Sequence, residues 1–315
     1  MSSQQATPQR TSPMALFNDR TKSYINVCAP MVRYSKLPFR ELIRNYKVDL
    51  AYTPMILAKE FKNSGVARDS DFTTNRSDTS LIIQFASNDG VELLRAVEFV
   101  VGYVDGIDIN CGCPQKWAIN EGIGVHLMEN PETVRDMIRT IKGGGLNIPI
   151  SIKIRIHNDL RKTVDFTKRA ESIGLDFIAI HGRTRRQKST SPVNIPAIKL
   201  CKESLNIPII ANGDIFSLTD AEKLYESTKC DGVMSARGLL KNPALFAGFE
   251  STPWECIRKF VELSLNYGTN HFIFHHHLMY MFEDVMSNAE RKTFNTLTSI
   301  PAIVDHLEEH YGLDL

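Results

Sequence analysis

The feature that most constrains the fold is a series of eight short apolar runs within the first 235 residues of this 315-residue chain. Each run has the length of a β-strand, is rich in Val, Ile and Phe, and is nearly continuous instead of alternating with polar residues. That pattern is typical of parallel strands that are buried on both faces. The runs occupy residues 25–29, 48–53, 80–85, 104–109, 148–155, 176–181, 207–211 and 231–235.

Segments with helical apolar spacing lie between these runs. Leu93 and Val97 lie on one such stripe, and Val134, Ile138 and Ile141 lie on another. Alternating strands and helices predict a parallel sheet, and eight such units over about 225 residues match a closed (β/α)8 barrel. The alternative is an open doubly wound sheet, but no GxGxxG follows the first strand, so Rossmann-type dinucleotide binding has no support. We therefore predict the α/β fold of a TIM barrel.

The character of the sequence changes after residue 250. The segments 257–265, 272–286 and 294–307 have helical apolar spacing without strand-like runs, and Pro253 and Pro301 suit the first turns of helices. We expect three parts: a flexible leader at 1–22, a catalytic barrel at 23–250 and a small C-terminal helical domain at 251–315.

Cysteine usage and the leader indicate the compartment. Six cysteines in a chain of this length do not form a dense disulfide framework, and Cys111 and Cys113 lack the C-x-x-C spacing of a zinc site. The leader has no apolar segment of the secretory kind, and no apolar run is long enough to span a bilayer. These features predict a cytoplasmic or nuclear protein without a membrane segment or a metal.

Polar residues follow most of the predicted strands, at the end of a barrel where working residues stand. Gly213 after the seventh run and the turn 236–238 after the eighth suit a phosphate site, in which Arg237 adds a positive charge. Lys153 after the fifth run suits either a Schiff base or a contact with a negatively charged cofactor. His181 after the sixth run suits a general acid or base, a phosphate contact, or a simple hydrogen bond at the strand end.

Cys113 is the best placed of the cysteines for chemistry. It lies beyond the fourth run, between Gly112 and Pro114, where an exposed thiol can serve as an acid or a nucleophile. Cys111 lies within the apolar run, and we expect it to be a buried structural residue. The segment 115–126 that follows has the composition of a mobile lid.

These residues resemble the motifs of the tRNA-dihydrouridine synthases over residues 25 to about 250, in the same order along the chain. The N-x-G-C-P element at 110–114 is highly specific for that family. The short tail resembles the eukaryotic branch that modifies positions 20a and 20b of the D-loop. The matching segments are APM at 29–31, DINCGCP at 108–114, KIR at 153–155, HGRT at 181–184, NGD at 212–214 and DGVMSARG at 231–238.

The resemblance implies a flavoenzyme with FMN at the barrel mouth. The implied cofactor residues are Pro30 and Met31 against the isoalloxazine ring, Gln84 at its edge, Lys153 at the N1/C2 region, and His181, Asn212, Gly213, Asp214, Ala236 and Arg237 around the ribityl phosphate. The implied substrate residues are Asn110 and Arg155 at the target uracil, to which we add Arg183 and Arg185.

The resemblance also implies the reaction. NADPH or NADH reduces the flavin, a uridine of the tRNA takes the place of the nicotinamide, hydride goes to uracil C6, and Cys113 gives a proton to C5. One alternative is a flavin barrel that reduces a free pyrimidine or another small enone. The other is a catalytically silent RNA-binding barrel.

The net charge of +1 argues against a uniform polycation, but it hides an uneven distribution. Residues 251–315 contain four Lys and Arg against nine Asp and Glu, whereas residues 153–188 contain ten against four. We therefore expect an RNA-facing basic rim near strands 5 and 6, which includes the stretch 185–188. We expect a monomer, and packing or surface roles for the histidines at 275–277.

Overall fold

A computed structural model of the protein describes residues 10–314. It contains eight strands: β1 Ile25–Cys28, β2 Leu50–Leu57, β3 Leu81–Ala86, β4 Gly106–Cys111, β5 Ile150–Ile154, β6 Phe177–His181, β7 Ile209–Asn212 and β8 Gly232–Ser235. They pair in parallel in sequence order, and β8 pairs with β1 to close a barrel, which confirms the predicted TIM-barrel fold.

The barrel helices lie before the first strand, between the strands and after the last strand. They are α1 Pro13–Phe17, α2 Leu37–Arg44, α3 Ala58–Asn63, α4 Gly65–Asp71, α5 Gly90–Glu98, α6 Lys116–Asn120, α7 Pro131–Gly143, α8 Leu160–Glu171, α9 Ile195–Ser204, α10 Leu218–Thr228 and α11 Arg237–Lys241. Short 3-10 helices occur at Gly124–Glu129 and Leu245–Ala247. The tail contains α12 Trp254–Asn266, α13 His271–Met281, α14 Asn288–Phe294 and α15 Ile300–Tyr311.

All eight predicted strands are present, and their bounds differ most at β2, which continues to Leu57 instead of ending at residue 53. The strand continues through Pro54, although proline cannot donate a hydrogen bond to a sheet ladder. The pairing of β2 with β3 shifts register between Tyr52 and Met55, and this irregularity accommodates the proline. The extension brings Met55 to the barrel mouth.

The described part of the predicted leader, 1–22, is packed against the barrel; its first nine residues lie outside the described residues. The rings of Phe17 in α1 and Phe177 at the start of β6 lie 5.3 Å apart. Arg10 forms an ion pair with Asp105 at 2.9 Å. A Ser- and Pro-rich composition suggested flexibility, but the few apolar side chains of α1 cover the amino-terminal end of the barrel interior.

The tail is helical, as the sequence predicts, but the segment 294–307 forms parts of two helices. α14 ends at Phe294, and α15 begins after Ser299, whose hydroxyl accepts the N–H of Ala302. The apolar spacing continues across this break because Phe294 and Leu307 are both buried in the same core.

The histidine run in α13 joins the tail to the loop after β1. Nε2 of His277 donates to the backbone oxygen of Tyr34 at 3.2 Å, and Nδ1 of His276 lies 3.1 Å from the Tyr34 hydroxyl. Nε2 of His275 instead lies 3.1 Å from the backbone oxygen of Phe294. Consecutive helical residues point in different directions, so His275 contacts Phe294, whereas His276 and His277 contact different groups of Tyr34.

No helix within residues 10–314 is long and apolar enough to cross a membrane. The same part of the chain contains no group of three or more His, Cys, Asp and Glu side chains placed to hold a metal ion.

Candidate active site at the barrel mouth

Two adjacent cavities open at the carboxyl ends of the strands, and His181 lines both. The mouth cavity, of about 180 Å³, is lined by Pro30, Val32, Met55, Gln84, Asn110, Gly112, Cys113, Lys153, Arg155 and His181. The second cavity has a volume of about 70 Å³, and we call it the phosphate cavity after the group that the sequence predicts there. It is lined by His181, Arg183, Asn212, Gly213, Asp214, Ile215, Phe216, Met234, Ala236, Arg237 and Gly238. Residues from the ends of all eight strands therefore converge, as the barrel topology requires.

Cys113 is held in the mouth cavity by its own loop. The Oδ1 atom of Asn110 accepts the N–H groups of Gly112 and Cys113 at 3.2 and 2.9 Å. The Nε atom of Arg155 donates to the Gly112 carbonyl at 2.9 Å, and Val125 donates its N–H to the Cys113 carbonyl at 3.0 Å. Cys113 is partly exposed, whereas the other five cysteines are buried. Among the cysteines of the described residues, Cys113 is therefore the one whose thiol is accessible at the mouth cavity.

A buried amide network lies beneath this loop. The Nδ2 atom of Asn110 donates to Oε1 of Gln84 at 2.8 Å, and Nε2 of Gln84 donates to Asp108 at 2.7 Å. Burial raises the pKa of Asp108 to about 6, although hydrogen bonds from Ser151 and Gln84 oppose that effect. The network fixes which way both amides face, so the orientations of Gln84 and Asn110 are set before any ligand binds.

Lys153 lies between the two cavities. Its Nζ atom donates to Oδ1 of Asn212 at 3.1 Å, and Nδ2 of Asn212 in turn donates to the Met234 carbonyl at 2.8 Å. Burial, with the nearby charge of Arg155, lowers the pKa of Lys153 to about 8. A positively charged amine with a single neutral partner is suited to hold a negative charge on a bound group.

His181 is a neutral imidazole. Burial and the positive charges of Lys153, Arg155 and Arg183 lower its pKa to about 2. Nη1 of Arg183 lies 3.4 Å from Nε2 of His181. Because a guanidinium only donates, Nε2 is the acceptor, and Nδ1 carries the proton. Of the roles open to His181, hydrogen bonding fits this environment, and proton exchange near neutral pH does not.

The phosphate cavity needs glycine in both of its turns. Gly213 has φ +143°, and a Cβ atom there would lie 2.6 Å from the side chain of Val193. A Cβ atom on Gly238 would lie 2.0 Å from the backbone oxygen of Ile215. Close packing therefore requires glycine at both positions, which line the cavity, and Arg237 begins α11 beside it.

The carboxylate of Asp214 is not a free group at the phosphate cavity. It pairs with Arg183 and, at 3.2 Å, with Arg237. The carboxylate thereby holds two guanidinium groups at the phosphate cavity, and its own charge is neutralised by them. The geometry makes Asp214 a positioning residue for the two arginines.

The structure places three of the expected site residues elsewhere. Met31 is 8% exposed and packs into the core, because the chain turns after Pro30 and presents Val32 to the mouth cavity instead. Arg183, expected at the substrate, is 2% exposed and lies at the phosphate cavity. Arg185 is exposed and lines a separate surface groove beyond the mouth cavity.

Sequence reasoning missed Val32, Met55 and the role of Asp108. Asp108 carried a signal, since it lies two residues before Asn110 and alternate residues of a strand share a face. Met55 carried none, because Pro54 hid the continuation of β2. All the remaining expected residues line one or both cavities. They are Pro30, Gln84, Asn110, Cys113, Lys153, Arg155, His181, Asn212, Gly213, Asp214, Ala236 and Arg237.

The predicted lid, 115–126, contains α6 and the start of a 3-10 helix. Its residues Ala118 and Ile123 are buried against Ala86 and Cys113. In this conformation the lid supports the Cys113 loop, and none of its residues lines the mouth cavity.

A (β/α)8 barrel whose polar side chains converge on a cavity at the strand ends has the architecture of a barrel enzyme. The sequence model of the dihydrouridine synthase (Dus) family matches residues 27–302, and the chain belongs to that family.

Two curated relatives and one solved structure illustrate this relationship. The human protein named tRNA-dihydrouridine(20a/20b) synthase NAD(P)+-like is 50% identical over 308 residues, which cover 97% of this chain and 96% of that protein. The Schizosaccharomyces pombe tRNA-dihydrouridine(20a/20b) synthase NAD(P)+ is 46% identical over 301 residues, which cover 95% and 92%. A solved old yellow enzyme homologue from Zymomonas mobilis shares the fold alone, with a TM-score of 0.52, 10% identity, and coverage of 70% and 86%.

Proposed function

We propose that this protein reduces uridine to 5,6-dihydrouridine at positions 20a and 20b of the tRNA D-loop, with FMN as its cofactor and NADPH or NADH as electron donor. The family supports the reaction, and the names of the human and fission-yeast relatives support the positions and the nicotinamide donor. The observation that carries the proposal is that Cys113 and Lys153 line one cavity, which adjoins a second cavity suited to phosphate.

The residues present fit FMN. The phosphate cavity combines the bare backbone at Gly213 with the guanidinium of Arg237, which suits a phosphate group. The mouth cavity combines the apolar surfaces of Pro30 and Met55 with the amine of Lys153, which suits a flat ring that carries a negative charge at one edge. When bound, FMN supplies the hydride that reduces the C5–C6 double bond of uracil.

The side chains of this chain perform the remaining work. Cys113 holds a proton on its Sγ atom, and in our account it delivers that proton to C5 of the uracil. Asn110 and Arg155 hold the Cys113 loop through three hydrogen bonds, and each retains N–H groups for the carbonyl oxygens of the uracil. The lid, 115–126, packs against the cysteine and supports its loop through the N–H of Val125.

The tRNA itself needs surface beyond the two cavities. Arg185 and Arg186 are exposed beside the mouth, and we assign them, with Lys188, to phosphates of the RNA. The tail, 251–315, packs next to the mouth through α13, and we assign it to tRNA binding by shape because its charge is acidic.

The test is a direct measurement of the flavin. The purified protein should carry or take up FMN, with absorbance near the usual flavin bands, and NADPH or NADH should bleach it. Under anaerobic conditions, unmodified tRNA should reoxidise the reduced flavin at least about 100-fold faster than free uridine at equal concentration, because remote RNA contacts contribute binding energy. A colourless protein that takes up no FMN would contradict the proposal, and equal rates with free uridine would favour a reductase of free pyrimidines.

A further inference from the structure

A large groove extends from the mouth cavity towards the tail and is used by none of the roles assigned above. It has a volume of about 640 Å³ and shares Val32 and Met55 with the mouth cavity. The first turn of α13, including Phe272, forms its opposite wall. We call it the flank groove. The flank groove and the mouth cavity therefore adjoin each other at Val32 and Met55.

Two exposed side chains meet at the flank groove, next to His276, whose ring centre lies 4.0 Å from that of Phe272. The guanidinium carbon of Arg33 lies 5.3 Å from the ring centre of Phe272. Phe272 is 43% exposed although it is a large apolar residue, and Arg33 is also exposed. We call Arg33 and Phe272 the stacking platform. An exposed aromatic ring combined with a guanidinium plane is the kind of surface on which unpaired bases stack.

The backbone presents Arg33 in a fixed position. Its φ of +73° lies in the left-handed region, which side chains other than glycine rarely adopt. The turn is held because the Ser35 hydroxyl accepts the N–H of Met31 at 3.0 Å and Tyr34 donates its N–H to the Met31 carbonyl at 3.0 Å. Unusual backbone that the surroundings hold in place is concentrated at functional sites.

Charge favours a nucleic acid as the occupant of the flank groove. Arg33 and Lys36 line it with two positive charges, against the single carboxylate of Asp71. A polyanion gains from that balance, and its bases supply the flat apolar faces that match the platform. Because the flank groove adjoins the mouth cavity, the part of the RNA that reaches the groove is the part next to the target uridine.

We propose that the stacking platform binds the base of a nucleotide adjacent to the target uridine, and so helps to select the uridine that enters the mouth cavity. This inference rests on the proposed function. Extrusion of a uridine from a loop unstacks its neighbours, and the platform replaces one lost stacking partner. Discrimination among uridines then depends on this neighbour as well as on the uracil itself.

The experiment combines variants with altered tRNA. A Phe272→Leu substitution keeps an apolar side chain but removes the ring, and it should raise KM for tRNA between about five- and 100-fold. Phe272→Trp keeps the stacking surface, and KM should stay within about twofold. The matched control is Phe99→Leu, because Phe99 is 48% exposed and also lies under an arginine, Arg68, at 4.2 Å, but lines neither the mouth cavity nor the flank groove.

An abasic nucleotide at each position next to the target uridine then identifies the contact. At one of these positions, the abasic nucleotide should raise the KM of the wild-type protein for tRNA. For Phe272→Leu, the KM for that abasic tRNA should be no higher than its KM for the intact tRNA. Arg33→Lys keeps the charge but loses the planar guanidinium. It should therefore weaken the coupling between the platform and this base, which is the effect of the abasic nucleotide on KM, while it preserves the salt dependence of KM.

The outcomes separate the two proposals. The stacking platform would be overturned if the effects of Phe272→Leu and of each abasic position on KM multiplied independently. A wild-type KM for Phe272→Leu would also overturn it. If Phe272→Leu fails to fold, the coupling in Arg33→Lys decides the question in its place. A wild-type protein that forms no dihydrouridine in any tRNA would instead refute the proposed function.

Discussion

At the scale of single residues, much of the site consists of side chains that hold other side chains. Asn110 fixes the Cys113 loop, Asp108 fixes Gln84, and Asp214 holds Arg183 and Arg237. Residue types and order along the chain were enough to predict most of these positions. They could not show which side chain faces the ligand, because that depends on hydrogen bonds between strands far apart in sequence.

The lowered pKa of Lys153 makes cofactor binding depend on pH. Burial and the nearby Arg155 lower this pKa to about 8, so the ammonium group loses its proton between pH 7 and 9. An anionic cofactor binds the protonated form better, so the affinity of the apoprotein for FMN should fall as pH rises, by up to about tenfold per pH unit above the pKa. Fluorescence titration of FMN across this range measures the effect.

The control for this pH dependence is Lys153→Met. This variant should bind FMN more weakly at pH 7 and should show a flatter profile between pH 7 and 9. If it retained the wild-type profile, another group would be responsible for the titration.

At the scale of secondary-structure elements, the strands were the most predictable part. They are buried on both faces, so their apolar runs are continuous and easily recognised. The extension of β2 past Pro54 and the break between α14 and α15 were not predictable in this way. At β2, Pro54 is the local signal, and the register shift in the pairing with β3 overrides it. Between α14 and α15, the continuous apolar pattern is the local signal, and the cap formed by Ser299 overrides it.

The element that follows Cys113 should tolerate little change at Gly124. This residue has φ +65°, and a Cβ atom there would lie 2.7 Å from the Cys113 carbonyl oxygen. Gly124→Ala should therefore shift the cysteine and lower the rate of dihydrouridine formation by about 100-fold, as small displacements of reacting groups do. Single-turnover assays with tRNA measure that rate.

Gly145→Ala is a matched control for the backbone effect. Gly145 has a similar φ of +72°, but a Cβ atom there would meet nothing within 4 Å. Both substitutions cost the conformational strain of the left-handed region, about 1–2 kcal/mol. Only Gly124→Ala should lower activity, and equal rates in the two variants would show that the lid does not position Cys113.

At the scale of the whole molecule, the barrel and the tail share one hydrophobic core that includes Phe39, Phe260 and Phe274. His277 lies in this core and bonds the loop after β1. The sequence indicated a helical appendage, but it did not reveal that the histidine run is its connection to the barrel mouth. A buried histidine and a surface histidine look the same without the fold around them.

His277 should make stability depend on pH. Burial lowers its pKa to about 3, so the folded protein excludes a proton that the unfolded chain binds near pH 6.5. The stabilisation is complete above pH 6.5 and is lost as pH falls towards 3, at up to about 1.4 kcal/mol per pH unit. Between pH 6 and 5, the free energy of unfolding measured with urea should change less steeply with pH in His277→Phe than in the wild type. The same pH dependence in both proteins would contradict this account.

The central claim is tested most directly by mapping dihydrouridine, site by site, in tRNA from cells that lack this protein and from the same cells after complementation. We predict that dihydrouridine is absent at positions 20a and 20b without the protein, returns with the wild type, and stays absent with Cys113→Ala expressed to the same level. Unchanged dihydrouridine at those positions without the protein, or full restoration by Cys113→Ala, would contradict the account.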